Sequence, residues 1–159
     1  MLPERIRVAV PDDIDDILRL VRDLADYERD LASVENTPEL VEKALFGPDP
    51  LASALVAVVD GDVVGVAVWY RTYSTWTGVG GIHLEDLYVE PGHRGSGLGR
   101  DLLAALARIA VAHGYPRLEW VVLDWNTPSI EFYTSLGARP MEDWTTFRLS
   151  GEGLDSLAK

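Results

Sequence analysis

The stretch Arg94-Gly95-Ser96-Gly97-Leu98-Gly99-Arg100 sets three glycines between two arginines, a few residues after a strand-like segment that ends at Val89. Leu98, Leu102, Leu106, Ile109 and Ala110 follow at helical spacing, so the turn connects a strand pattern to a helix pattern. Glycine lets a backbone come close to a ligand, and the N–H groups of a helix's first turn point at an anion that the helix dipole also favours. Such a turn suits a phosphate or pyrophosphate. The lysine followed by serine or threonine of a P-loop is missing, and a mid-chain position after antiparallel strands does not fit a dinucleotide fingerprint. Cysteine is absent, which excludes disulfides, thiolate metal sites and cysteine nucleophiles. His83, His93 and His113 have no metal-ligand spacing, so no metal is expected.

The elements around the turn read as one α/β domain over 1–159. Arg5–Val10 alternates as a first strand, and Pro11-Asp12-Asp13 opens a helix carrying Ile14, Ile17, Leu18, Val21, Leu24 and Ala25. Pro38–Leu45 reads as a second helix. Ala54–Val59 and Val63–Arg71 are valine-rich strands joined through Asp60-Gly61-Asp62, a hairpin signal. Ile82–Val89 is a strand ended by Pro91-Gly92, and Leu118–Leu123 is a strand after the helix that stops near His113-Gly114. These two should run parallel through a right-handed crossover. Thr127 as N-cap, Pro128 and Gly137 bracket a short helix with Ile130, Tyr133 and Leu136, and Thr145–Leu149 reads as a final strand.

The 159 residues hold 14 basic and 26 acidic side chains, a formal net charge of −12. That charge repels a phosphate backbone and an anionic membrane surface, so neither nucleic acid nor membrane is an expected partner, whereas a cationic substrate would be attracted. No apolar run approaches the ~20 residues of a membrane span. The start, Met1-Leu2-Pro3-Glu4-Arg5, lacks the regions of a signal peptide, and a cytoplasmic protein is expected.

The pattern Arg94-x-x-Gly97-x-Gly99 after Leu84-Glu85-Asp86-Leu87-Tyr88-Val89 resembles the acetyl-CoA-binding motif of the GNAT superfamily of N-acetyltransferases. The similarity extends through Leu24-Ala25-x-Tyr27-Glu28, Tyr73-Ser74-Thr75-Trp76, Trp125-Asn126-x-Pro128-Ser129-Ile130-x-Phe132-Tyr133 and Leu136-Gly137-Ala138. Together these look like the diamine acetyltransferase branch, which includes spermidine/spermine N-acetyltransferase and its thialysine-acetylating relatives. The resemblance implies a GNAT-like mixed central sheet, flanked by helices, whose fourth and fifth strands splay to admit pantetheine, with a bulge on the fourth strand. It implies that Leu87, Tyr88 and Val89 pair with the pantetheine arm and that Arg94, Gly95, Ser96, Gly97, Leu98, Gly99 and Arg100 hold the pyrophosphate. Asn126 and Ser129 match positions near the pantetheine and cysteamine end. A homodimer with its site near the interface is also implied.

The resemblance further implies direct transfer of the acetyl group to a primary amine. An alkyl ammonium with a pKa of about 10.4 needs roughly 4.6 kcal/mol to be exposed as the free amine at pH 7, so a base must take the proton. Glu85 matches the base, through a water, with Asp86 beside it; on an unbroken strand the two would face opposite ways, and a bulge would change that. Attack on the thioester forms an oxyanion and expels a thiolate, so a backbone donor and an acid are also needed. Tyr133 matches the tyrosine that protonates the sulfur. Trp76 and Trp144 match positions lining the amine channel, where cation–π contact is useful, and Glu28, Asp86 and Glu142 are acids that can hold a further positive charge. Polyamine-acetylating relatives carry an acid where this chain has Ser74, and Tyr73-Ser74-Thr75-Trp76 with Leu123-Asp124-Trp125-Asn126 looks more like the thialysine branch. Two other classes stay open at this point: an acetyltransferase for protein amino termini or lysines, and a non-catalytic acyl-CoA-binding module.

Overall fold

The computed structural model describes residues 1–159 and divides into two compact units, Met1–Val121 and Val122–Lys159. The first holds a five-stranded sheet in the order β1 (Ile6–Val8), β2 (Ser53–Val59), β3 (Asp62–Tyr73), β4 (Gly80–Val89) and β5 (Leu118–Glu119). The first four strands are antiparallel neighbours and β4 pairs with β5 in parallel, so the sheet is mixed. Antiparallel pairing of β2 and β3 needs only a two-residue loop. Asp60 and Gly61 supply it, both with positive φ (53° and 95°), which suits the right-handed twist of the two strands.

β2 reads Ser-Ala-Leu-Val-Ala-Val-Val because both its faces are covered. On one face, Ala54, Val56, Val66 and Tyr88 pack with Ile17, Leu18 and Leu20 of α1 (Ile14–Tyr27) and Val41 of α2 (Pro38–Phe46). Leu55, Ala57, Ala67 and Leu84 alternate onto the other face, where α3 (Leu98–Ala112) packs with Leu102 and Leu106 fully buried. α3 is also the crossover that makes β4 and β5 parallel. It ends at His113, and Gly114 follows with φ 69°, a left-handed residue that stops the helix.

The second unit contains α4 (Thr127–Ser135) and α5 (Glu152–Leu157). Its N-cap is Asn126, not Thr127: the Asn126 side chain accepts from the Ser129 N–H at 3.4 Å, which places Thr127 inside the helix. Gly137 closes the helix with φ 90°. The strand expected over Leu118–Leu123 is reduced to Leu118–Glu119, because only Ile82 and His83 of β4 lie opposite it. The strand expected over Thr145–Leu149 does not form. No ladder includes that segment, and Phe147 (92%) and Leu149 (52%) are exposed. No helix is long and apolar enough to cross a membrane.

Candidate active site

Two strands that would otherwise pair along their length part company here. The β4–β5 ladder consists of Ile82 opposite Leu118 and His83 opposite Glu119. From Leu84 to Val89, β4 has a ladder partner on its β3 side alone. Strand geometry therefore leaves the β5-facing N–H and C=O groups of Leu87 to Val89 as an edge, able to pair with an extended amide-bearing chain.

β4 is also bulged. Asp86 lies opposite Val68, whereas Leu84 lies opposite Trp69, so Glu85 is an extra residue in the strand. Cross-strand partners share a face, and Val66 and Tyr88 belong to the α1-side core; Val68 packs against that core, which puts Asp86 on the α1 side. Tyr70 alternates onto the same face and stacks on its partner His83 with ring centroids 4.9 Å apart. Glu85 Oε2 stands 3.8 Å from His83 Nε2, so Glu85 faces that side too. The bulge thus presents two consecutive carboxylates on one face.

Glu28 joins them as the C-cap residue of α1. Burial, reinforced by the charges of Glu85 and Glu28, pushes the Asp86 carboxyl up to about 6, and burial also raises Glu28. Glu85 is the exposed member, its side chain 57% accessible. Three acids around one point can hold an ammonium group, and the partly buried one is basic enough to accept a proton near neutral pH.

The glycine turn leads from a single 3₁₀ turn, Pro91–His93, into α3. Gly95 and Gly97 have φ of 77° and 89°, conformations that other residues rarely adopt, and the turn from Arg94 to Gly97 is exposed. Gly97 is the N-cap and brings no capping side chain, so the N–H groups of Leu98, Gly99 and Arg100 lack intrahelical acceptors. An anion fits that set of donors. Arg94 is folded back from it: Nε donates to the Val89 carbonyl at 2.9 Å, and the guanidinium lies between Tyr27 (5.4 Å) and Tyr88 (5.2 Å). One of the carbonyls expected to meet pantetheine is thereby already used by the arginine expected to meet the pyrophosphate.

Two of the other expected residues lie apart from the acids within the first unit. Ser74 and Trp76 sit in the loop between β3 and β4, where Ser74 Oγ accepts from the Thr77 N–H at 3.4 Å and Trp76 is 89% exposed. Strand rise alone separates this loop from Asp86 by roughly 20 Å along the hairpin. In the second unit, Tyr133 lies on α4 with its ring tilted against Phe132 at 5.4 Å, Asn126 and Ser129 are joined in the helix cap, and Glu142 and Trp144 are exposed beyond the helix. Two positions escaped the sequence reading. The Tyr27 ring over Arg94 had a signal only in the Tyr27-Glu28 motif, and Arg5, which reaches the turn from just before the first strand, had no local signal at all.

Comparison with known proteins agrees with this geometry. Residues 17–138 match the Acetyltransferase (GNAT) family. The chain is 38% identical to the thialysine N-epsilon-acetyltransferase of Sus scrofa, with 96% of each chain covered. It is 36% identical to the spermidine/spermine N(1)-acetyltransferase-like protein 1 of Homo sapiens, covering 97% of this chain and 24% of that one. The solved integron cassette protein VCH_CASS6 from the mobile metagenome of V. cholerae superposes with a TM-score of 0.81 at 26% identity, covering 97% of this chain and 96% of the other. Members of the matched family use acetyl-CoA as co-substrate. The splayed strands, the glycine turn and the matches along the sequence together make this chain a member of the GNAT acetyltransferase family and an N-acetyltransferase.

Proposed function

We propose that the chain transfers the acetyl group of acetyl-CoA to the primary amine of a small, lysine-like cation such as thialysine, and that residues 1–159 act as one catalytic domain. The single observation that carries the substrate class is the acidic cluster of Glu28, Glu85 and Asp86 built by the β4 bulge. Relatives named as thialysine acetyltransferases, at 34–38% identity over nearly the whole chain, support the choice of amine. The family match runs from residue 17 to 138 across the division at Val121, which supports a single domain.

In this reading the donors at the start of α3 hold the pyrophosphate, with Gly95 to Arg100 wrapped around it, and the open edge of β4 at Leu87 to Val89 pairs with pantetheine once Arg94 releases the Val89 carbonyl. Asn126 and Ser129 close the thiol end of that arm. The ammonium group docks among Glu28, Glu85 and Asp86 and gives its proton to the Glu85–Asp86 pair. The amine nitrogen then attacks the thioester carbonyl, the C–N bond forms, and a backbone N–H stabilises the oxyanion. As the C–S bond breaks, Tyr133 protonates the departing sulfur, and the proton that the attacking nitrogen sheds on becoming an amide restores the tyrosine through solvent.

The chain acts as a homodimer in this reading. Support comes from the hairpin tip, where Trp76 is 89% exposed and remote from the acids of its own protomer, so Ser74 and Trp76 suit a neighbour's amine site better than their own. Glu142 and Trp144 line the outer part of the channel. Incubation with acetyl-CoA and a panel of amines, followed by thiol detection and product mass, tests the proposal. Small cationic amines should be acetylated; a preference for peptide amino termini or protein lysines, or binding without turnover on any amine, would replace it with one of the other two classes.

A further inference from the structure

The first turn of α3 carries an acid as well as its open N–H groups. Asp101 stands one turn into the helix, where a carboxylate helps an isolated helix through its dipole. It is less welcome beside a bound pyrophosphate, whose negative charge it would oppose. Arg5 meets this carboxylate from across the fold. Its Nη2 donates to Asp101 Oδ2 at 2.7 Å and to the Ser96 carbonyl at 3.1 Å, contacts that span 96 and 91 residues of sequence. The same nitrogen lies 3.8 Å from where a side chain on Gly97 would begin, so it reaches the centre of the glycine turn.

Arg5 is well placed to hold that position. Its carbonyl accepts from the Val58 N–H at 2.9 Å, fixing its backbone to β2. The pair is accessible to solvent, with 40% of the Arg5 side chain and 30% of that of Asp101 exposed. Ion pairs this open contribute little to folding stability, so its main effect should be on the local charge and on the shape of the turn.

We infer that Arg5 is a positioning residue for the cofactor: it neutralises Asp101 and steadies the Ser96 carbonyl, so that the start of α3 offers its N–H groups to a pyrophosphate without a competing negative charge. The inference rests on the proposed placement of acetyl-CoA at this turn. Arg5 touches neither the acetyl group nor the amine, and its loss should act on cofactor affinity alone.

Calorimetric titration with coenzyme A tests this on the full chain, with thermal melts of every variant. Arg5→Gln should weaken binding by about tenfold in low salt and by less at high ionic strength, as expected for an uncompensated charge. Turnover at saturating acetyl-CoA should stay within about twofold of the parent. Arg5→Lys keeps the charge and should bind within about threefold of the parent. Asp101→Asn in the Arg5→Gln background should restore most of the lost affinity, because the charge that needed neutralising is gone. Parent-like affinity in Arg5→Gln, or a double variant as weak as Arg5→Gln, overturns the inference. Gly97→Val distinguishes the two levels. If it weakens binding while Arg5→Gln does not, the cofactor site stands and the role of Arg5 falls; if it folds and binds like the parent, both fall.

Discussion

Glu85 and Asp86 are consecutive in β4, yet both face the α1 side of the sheet, because only Asp86 has a residue opposite it in β3. A regular strand would have sent one of them into the α3 side. The bulge converts two sequence neighbours into a pair that shares a charge problem, and Asp86, the more buried of the two, bears it as a carboxyl pushed up to about 6.

The first consequence is kinetic. An acid limb in kcat/KM should appear near pH 6, where the acidic cluster loses its ability to accept the ammonium proton. Asp86→Asn should remove that limb and lower neutral-pH efficiency by on the order of 10²–10⁴. Glu85→Gln removes a charge that raises Asp86, so its limb should move to lower pH. A limb unchanged in Asp86→Asn would show that this carboxyl takes no part.

The same shift acts on stability, with a sign opposite to that of a salt-bridged carboxylate. The folded-state value lies above the ordinary aspartate value of 3.8, so ionised Asp86 opposes folding above about pH 6, and the penalty fades as pH falls toward 3.8. Asp86→Asn should therefore stabilise the fold at pH 7.5 by on the order of 3 kcal/mol, and the gain should vanish near pH 4. Denaturant unfolding at the two pH values checks it; an equal effect at both would contradict the assignment.

Tyr133→Phe retains the ring beside Phe132 and removes the hydroxyl. Turnover should fall by on the order of 10²–10⁴ while acetyl-CoA affinity stays near that of the parent. Turnover within about threefold of the parent would make Tyr133 a packing residue instead.

How much of this could be read beforehand depended on how local each signal is. Gly95 and Gly97 were legible because left-handed turns leave a glycine at each position, and the Asp60-Gly61 hairpin for the same reason. The helices showed through apolar spacing. A one-residue bulge has no such mark: Leu84-Glu85-Asp86-Leu87 reads the same whether or not Glu85 is opposed, and only the family resemblance raised the possibility. Asn126 and Thr127 are both good caps, so composition could not choose between adjacent residues. Leu118–Leu123 and Thr145–Leu149 have the composition of strands, but a strand also needs a neighbour, and the splay of β4 takes it from the first. Arg5 was invisible because its partners lie on an element more than 90 residues away.

In the proposed function, substrate choice turns on the hairpin loop. Placing an acid at Ser74 should favour a polyamine with several separated charges and disfavour an amino acid whose own carboxylate would be repelled. Ser74→Asp should move the ratio of efficiencies toward spermidine by roughly ten- to a hundredfold, the scale of one charge-assisted contact. An unchanged ratio would remove this position from the selection.

The central claim, transfer to a small lysine-like amine, meets its most direct test in the steady-state efficiencies of the unaltered enzyme for thialysine and spermidine, measured as thiol release from acetyl-CoA under identical conditions. A kcat/KM for thialysine above that for spermidine is the expected result. A preference for spermidine, or no thiol release with either amine from a protein that binds acetyl-CoA, would contradict it.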